Sequence, residues 1–129
     1  MSDTDAIRDL IAAYALALDA DDIDGCMELF TEDAEYLVFG KTLNRDKVRK
    51  MFHRAPKGMH LTGVSLISLD GPRATARSQV LFVDTATRAT RSALYDDELV
   101  KTDAGWRFRR RRCRFLTPDG LADDPAPNI

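Results

Sequence analysis

Cysteine is nearly absent: Cys26 and Cys113 are the only two in 129 residues. Their spacing matches neither a CxxC motif nor any other metal-ligand pattern, and in a reducing compartment they read as small buried hydrophobes rather than a disulfide. No apolar run approaches the roughly 20 residues that a bilayer-spanning helix needs. An excess of positive charge is missing too. Nineteen basic side chains against 21 acidic ones leave a net charge of −2, which argues against general nucleic-acid affinity. Met1 to Asp5 is acidic and lacks the basic-then-apolar layout of a signal peptide. A cytoplasmic location is therefore expected, with neither nucleic acid nor membrane as partner.

What is present suits one globular domain. The apolar fraction is 44% and the charged fraction 31%, ordinary values for a chain that buries a core. Ile7, Leu10, Ile11, Tyr14, Ala15 and Leu18 recur at helical spacing and predict a first helix over about residues 4–19, opened by Ser2 or Thr4 as cap. Asp19 stands one turn beyond Ala15, so its carboxylate belongs at the edge of the buried stripe. Asp21 and Asp22 break this helix and cap a second, in which Ile23, Cys26, Met27 and Phe30 share a face. Ala34 to Phe39 reads as a strand with Tyr36 on the side of Ala34 and Val38. Gly40 to Leu43 is expected to turn, and Asn44 to cap a third helix with Val48, Met51 and Phe52 inward.

From Met59 the pattern turns to β. One strand is expected over Met59–Leu69, then an Asp70-Gly71 hairpin. The return strand, Arg73–Val83, sends Ala74, Ala76, Ser78, Val80 and Phe82 to one face. Two further strands follow, over Arg88–Thr102 and Trp106–Leu116. Residues 117–129 hold three prolines and several acids and read as an extended tail attached to a domain of residues 1–116. Helices that precede a run of hairpin-linked strands must cover one face of the sheet. The expected fold class is α+β: three N-terminal helices on a strongly curved, mostly antiparallel sheet, a cone-like α+β barrel of cystatin-like type with a pocket between the layers.

Four stretches carry a resemblance: Tyr14-Ala15-Leu16-Ala17-Leu18-Asp19, Leu29-Phe30-Thr31-Glu32-Asp33-Ala34, Met59-His60-Leu61-Thr62-Gly63, and Tyr95 to Trp106. In their order and spacing the chain resembles the SnoaL-like branch of the nuclear-transport-factor-two-like superfamily. That branch contains scytalone dehydratase, a dehydrochlorinase, a bile-acid dehydratase, polyketide cyclases and ketosteroid isomerases. In its dehydratase-like members an Asp at the end of the first helix orients a proton-transferring His at the head of a strand. Asp19 and His60 stand at those two positions, and Tyr36 and Tyr95 at pocket positions. The second pocket His of the scytalone enzyme has no counterpart in Val80–Val83, so only the dyad carries over. The resemblance implies a homodimer or small homo-oligomer built through the sheet.

The chemistry expected of such a pair is a β-elimination or an enol-type isomerisation. A histidine titrates near working pH, and a carboxylate on its far ring nitrogen fixes the tautomer and stabilises the imidazolium. The first reading is thus a cofactor-independent and metal-free lyase or isomerase for a small apolar or cyclic organic substrate, with His60 as base and Asp19 as its partner. Tyr14, Tyr36, Tyr95, Phe82, Trp106 and Arg110 complete the expected substrate site. The tyrosines read either as donors to a substrate oxygen or as core residues with hydroxyls at the rim. Trp106 reads as a core anchor or as a stacking surface. The last strand carries six arginines between Arg107 and Arg114. Cross-strand pairing with Asp96, Asp97 and Glu98 explains most of them, and an inward Arg110 or Arg112 would meet an anionic group. The alternatives are a non-catalytic small-molecule binding module and an assembly protein like the dioxygenase small subunit.

Overall fold

The computed structural model describes residues 1–127. Helix α1 (Asp3–Asp19) buries Ile7, Leu10, Ile11, Tyr14 and Ala15, and Ser2 caps it by accepting from the Asp5 amide. Asp21, at φ +57°, turns the chain out of the helix. Asp22 then caps the short α2 (Ile23–Met27) by accepting from the Gly25 amide at 3.0 Å. A Cβ on residue 25 would stand 2.2 Å from the Asp22 carboxylate, so the glycine that weakens this helix is also what lets its cap close. α2 stops sooner than the apolar spacing suggests because Phe30 already belongs to β1 (Phe30–Val38). Phe39 and Gly40, both at positive φ, form a tight hairpin to β2 (Lys41–Asn44), where the sequence suggested only a turn. Asn44 caps α3 (Arg45–Arg54), which buries Val48 and Phe52.

The expected strand over Met59–Leu69 is two strands. β3 (Gly58–Thr62) and β4 (Leu66–Asp70) both pair with β5 (Arg73–Asp84). Between them the Gly63 amide bonds to Gln79 and the Ser65 and Ser78 hydroxyls meet at 2.7 Å. β6 (Thr90–Thr102) and β7 (Gly105–Thr117) follow as antiparallel neighbours, and β1 joins β7 in parallel. The tail is not wholly loose: β8 (Gly120–Ala122) pairs back onto β7. The tail's last two residues lie outside the described ones.

The sheet runs β2-β1-β7-β6-β5-β3. The fold is α+β with three helices against a curved, mostly antiparallel sheet, as expected. The sheet ends in two edges, so it is an open cone and not a closed barrel. Tyr14, Phe30, Phe52 and Phe108 sit in the buried core between the layers. Cys26 and Cys113 are both buried and unpaired. Among the described residues no helix is long and apolar enough to cross a membrane.

One irregularity decides what the inner face contains. Glu98 pairs with Arg110 but Leu99 pairs with Phe108, so Arg109 is an extra residue in β7. A bulge of this kind shifts the phase of a strand. Trp106 and Phe108 point inward before it, and Arg111, Cys113 and Phe115 after it.

Trp106 is 3% exposed, and its indole N–H donates to Asp3 at 3.0 Å. Lys101 donates to the same oxygen at 2.9 Å. These two donors hold the Asp3 carboxyl below the usual carboxylate range and tie the first turn of α1 to the end of the β6–β7 hairpin. A carboxylate whose folded value is depressed gives stability that is present above its unfolded value and is lost as pH falls through the folded one. Trp106 is the chain's only tryptophan, so its fluorescence reports this contact directly. Its emission should hold constant through the ordinary Asp range and shift only below it, and Asp3→Asn should produce the shifted emission already at neutral pH.

Candidate functional site

A cavity of about 160 Å³ opens between α1, α3 and the inner face of the sheet. Its walls are mostly apolar, among them Met51, Phe52, Val80, Phe82, Ala93 and Phe115. His60 enters from β3. Its ring packs against Phe82, its register partner on β5, with centroids 4.9 Å apart. The side chain is 18% exposed and that of Asp19 is 24% exposed, so the pair sits at the cavity's rim.

Asp19 is the last residue of α1, and one of its carboxylate oxygens takes two bonds from residue 60. The backbone amide donates at 3.0 Å and the ring Nδ1 contacts it at 2.8 Å. A carboxylate only accepts, so Nδ1 carries the proton and Nε2 is left as the basic nitrogen. The amide bond fixes the helix end against the strand, and the ring bond fixes the imidazole against the helix end. The resemblance placed these two residues together, and the structure has them in hydrogen-bond contact.

Deeper in the cavity the Tyr14 and Tyr36 hydroxyls meet at 2.9 Å, both buried. Tyr95 stands edge-on to Tyr14 at 5.8 Å. Burial, reinforced by the neighbouring phenols, pushes Tyr14 and Tyr36 well above the usual tyrosine value. Burial pushes Tyr95 up to about 12, with Arg111 acting the other way. All three are neutral hydroxyls at physiological pH. In a chain of two phenols one proton is held in the mutual bond, and the other is free to donate to a ligand. Cys113 also lines the cavity. Burial raises its thiol to about 11, which removes the thiolate that a nucleophile requires.

Two residues expected here stand elsewhere. Arg110 is exposed on the outer face, in a shallow groove with Arg77, Asp96 and Arg112. It follows the bulge at Arg109, so counting alternate residues from Trp106 gives the wrong phase. Trp106 lies outside the cavity lining, held to Asp3 as a core anchor. Phe82, Tyr14, Tyr36 and Tyr95 all line the cavity.

The residue that sequence reasoning passed over is Arg111. Its side chain and that of Asp97 are both 0% exposed. Nε lies 2.9 Å from Asp97 Oδ1, and Nη2 donates to Oδ2 at 3.4 Å. The guanidinium carbon sits 3.6 Å from the ring centroid of Tyr95 and 4.2 Å from that of Tyr14. The cation thus underlies two of the three phenols that face the cavity. Such contacts are worth about 2 kcal/mol or more when desolvated. Burial works against the Arg111 charge, but Asp97 and the phenols more than offset it, and its pKa lies above the ordinary guanidinium value. Burial raises the Asp97 carboxyl to about 6, with Arg111 opposing. A signal for Arg111 was available. Trp106 and Phe108 are apolar at even positions and Cys113 and Phe115 at odd ones, which demands a phase change between them.

The known proteins this chain resembles bear on the site at this point. The model of the SnoaL-like domain matches residues 1–112. The chain belongs to the SnoaL-like family, within the nuclear-transport-factor-two-like superfamily. Among solved structures, a protein of unknown function from Mycobacterium tuberculosis is 32% identical, with a TM-score of 0.78 over 85% of this chain and 69% of that one. An NTF2-like protein with a cystatin-like fold from Novosphingobium aromaticivorans is 27% identical over 90% of this chain and 83% of that one, TM-score 0.81. A candidate scytalone dehydratase from the same organism is 25% identical over 100% of this chain and 95% of that one, TM-score 0.75. Among curated protein sequences, none matches this chain.

The buried pair makes a stability prediction. Arg111→Met or Asp97→Leu alone leaves one uncompensated group in the core and should cost about 3–5 kcal/mol in urea unfolding. The double variant should recover most of that loss. A pH dependence goes with it. The folded value of Asp97, about 6, lies above the 3.8 of a free aspartate, so the native state holds this proton more tightly than the unfolded chain. The stability it confers is complete below the unfolded value and is lost as pH rises through about 6. Urea midpoints of the wild type, measured relative to the double variant, should therefore fall between pH 4 and pH 7.

Proposed function

We propose that this protein is a cofactor-independent lyase or isomerase acting on a small organic molecule. His60 is the base, Asp19 its orienting partner, and the Tyr14–Tyr36 pair the oxygen ligand. The observation that carries the reading is the bond between Asp19 and Nδ1 of a cavity-lining imidazole, which leaves Nε2 free. A substrate with a carbon acid beside a carbonyl would give its proton to Nε2. The electron pair moves onto the carbonyl oxygen, where a neutral phenol donates a hydrogen bond as negative charge develops. Asp19 stabilises the imidazolium formed. The proton then returns to another carbon, completing an isomerisation, or protonates a leaving group expelled from the β-carbon, completing an elimination. The likeness to a candidate scytalone dehydratase, at 25% identity over the whole chain, supports the elimination arm.

The test does not need the natural substrate. Deuterium incorporation next to the carbonyl of small cyclic ketones, followed by mass spectrometry in heavy water, reads the proton transfer alone. The wild type should accelerate exchange, and His60→Ala should lower the rate by about 10²–10⁴-fold with an unchanged far-ultraviolet spectrum. Asp19→Asn should fall between the two. Tyr36→Phe should lose about 10²-fold with little change in ketone affinity. Ketones that bind yet exchange no faster than in buffer would make the cavity a binding site without chemistry.

A further inference from the structure

The cavity does not end at its mouth. A second, more open groove of about 450 Å³ begins there, between the β1–β2 hairpin and α3, and shares Val38, Phe39, Met51, Ala55 and Pro56 with the cavity wall. Its floor is apolar. Its rim is Lys41, Lys47, Lys50 and Arg54, all exposed. Among the described residues none of these four makes an ion pair, although other cations of the region do: Arg49 pairs with Asp24 and Lys57 with Asp21. Lys57 and Arg91 add two more cations to the cavity lining itself. The chain as a whole has slightly more acids than bases, yet among the described residues no Asp or Glu lines the groove, and the acid at the cavity's rim, Asp19, is bonded to His60.

An apolar trough whose outer part is edged by one sign of charge focuses potential onto whatever lies along that part. Unpaired cations over apolar walls select an anion attached to an apolar body, since the body removes the walls from water while the charge meets ammonium and guanidinium groups at the rim. We propose that the ligand of this site is an amphipathic organic anion. Its ring system occupies the cavity, and its carboxylate, sulfonate or phosphate lies outside, in the groove between Lys41 and α3. This rests on the cavity being the binding site and adds the charge and the direction in which the ligand lies. The catalytic end, at His60, meets the uncharged part, and the anion never has to be desolvated.

Anilinonaphthalene sulfonate and its uncharged parent, phenylnaphthylamine, share one aromatic body and differ by the anion. Fluorescence titration of the full chain should give a dissociation constant about tenfold or more lower for the sulfonate at low salt, a preference that shrinks as salt screens the rim. The triple variant Lys47→Gln/Lys50→Gln/Arg54→Gln changes only exposed side chains. It should bring the two constants together by weakening the sulfonate and leaving the uncharged probe where it was. Equal affinities in the wild type, a preference that survives the triple variant, or binding of neither probe would each overturn the proposal. Both titrations read binding and not turnover. A protein that prefers the sulfonate but exchanges no deuterium keeps its anion site and loses its base, so the two readings fail separately.

Discussion

Arg111 and Asp97 face each other across β6 and β7 in the middle of the core, and the cavity floor rests on them. Tyr95 and Tyr14 lie over the guanidinium, Tyr14 bonds to Tyr36, and Tyr36 is the register partner of Arg111 on the neighbouring parallel strand. A buried charge of this kind is a poor source of stability, because desolvation offsets most of the Coulomb attraction. Its value lies in what it positions. A cation held over the rings of Tyr95, Tyr14 and Phe108 restrains their positions more strictly than aliphatic packing would, and it makes nearby negative charge less costly. A cavity floored by neutral hydroxyls over a fixed positive charge suits a substrate oxygen that becomes anionic only briefly.

The opposite side of the cavity is built on a different plan. His60, in the middle of β3, and Asp19, at the end of α1, are partly open to solvent, where an exchangeable proton has access to water. The phenols are buried and the imidazole is at the rim. In the proposed reaction one region of the cavity would stabilise charge and the other would move protons, and a ligand spanning both would have its orientation decided. The position of each residue in the chain explains the division. Tyr14 and Asp19 lie on the same helix, the first in the buried stripe and the second just past its end.

Much of this was legible in the sequence. The stripe of α1, the caps Ser2, Asp22 and Asn44, and the alternation of β5 are local patterns, and local patterns survive folding. The pairing of Asp19 with His60 was legible only through resemblance, because nothing local links two residues on separate elements. Three features escaped for physical reasons. The β1–β2 hairpin turns through Phe39, a bulky residue at positive φ that turn chemistry does not favour. The break between β3 and β4 is made by Gly63 and by the Ser65–Ser78 contact, which come from tertiary structure. Arg110 was expected to face the site and Arg111 was passed over, because a single extra residue, Arg109, inverts every position after it.

The parallel pairing of β1 with β7 carries a consequence for how the molecule is made. Tyr36 meets its strand neighbour only when Arg111 has been synthesised, so the two helices and first hairpin that leave the ribosome early have no sheet to rest on. Contacts of such long sequence separation form slowly, since loop closure precedes any reward from packing. Until the final long strand emerges, the apolar stripe of α1 has α2, β3 and β4 to pack on but not β7, and its uncovered part is open to chaperones or to aggregation. A nascent chain ending before β7 would lack more than an edge of the sheet, because the strand that joins β1 and β2 to the rest of the cone would be missing.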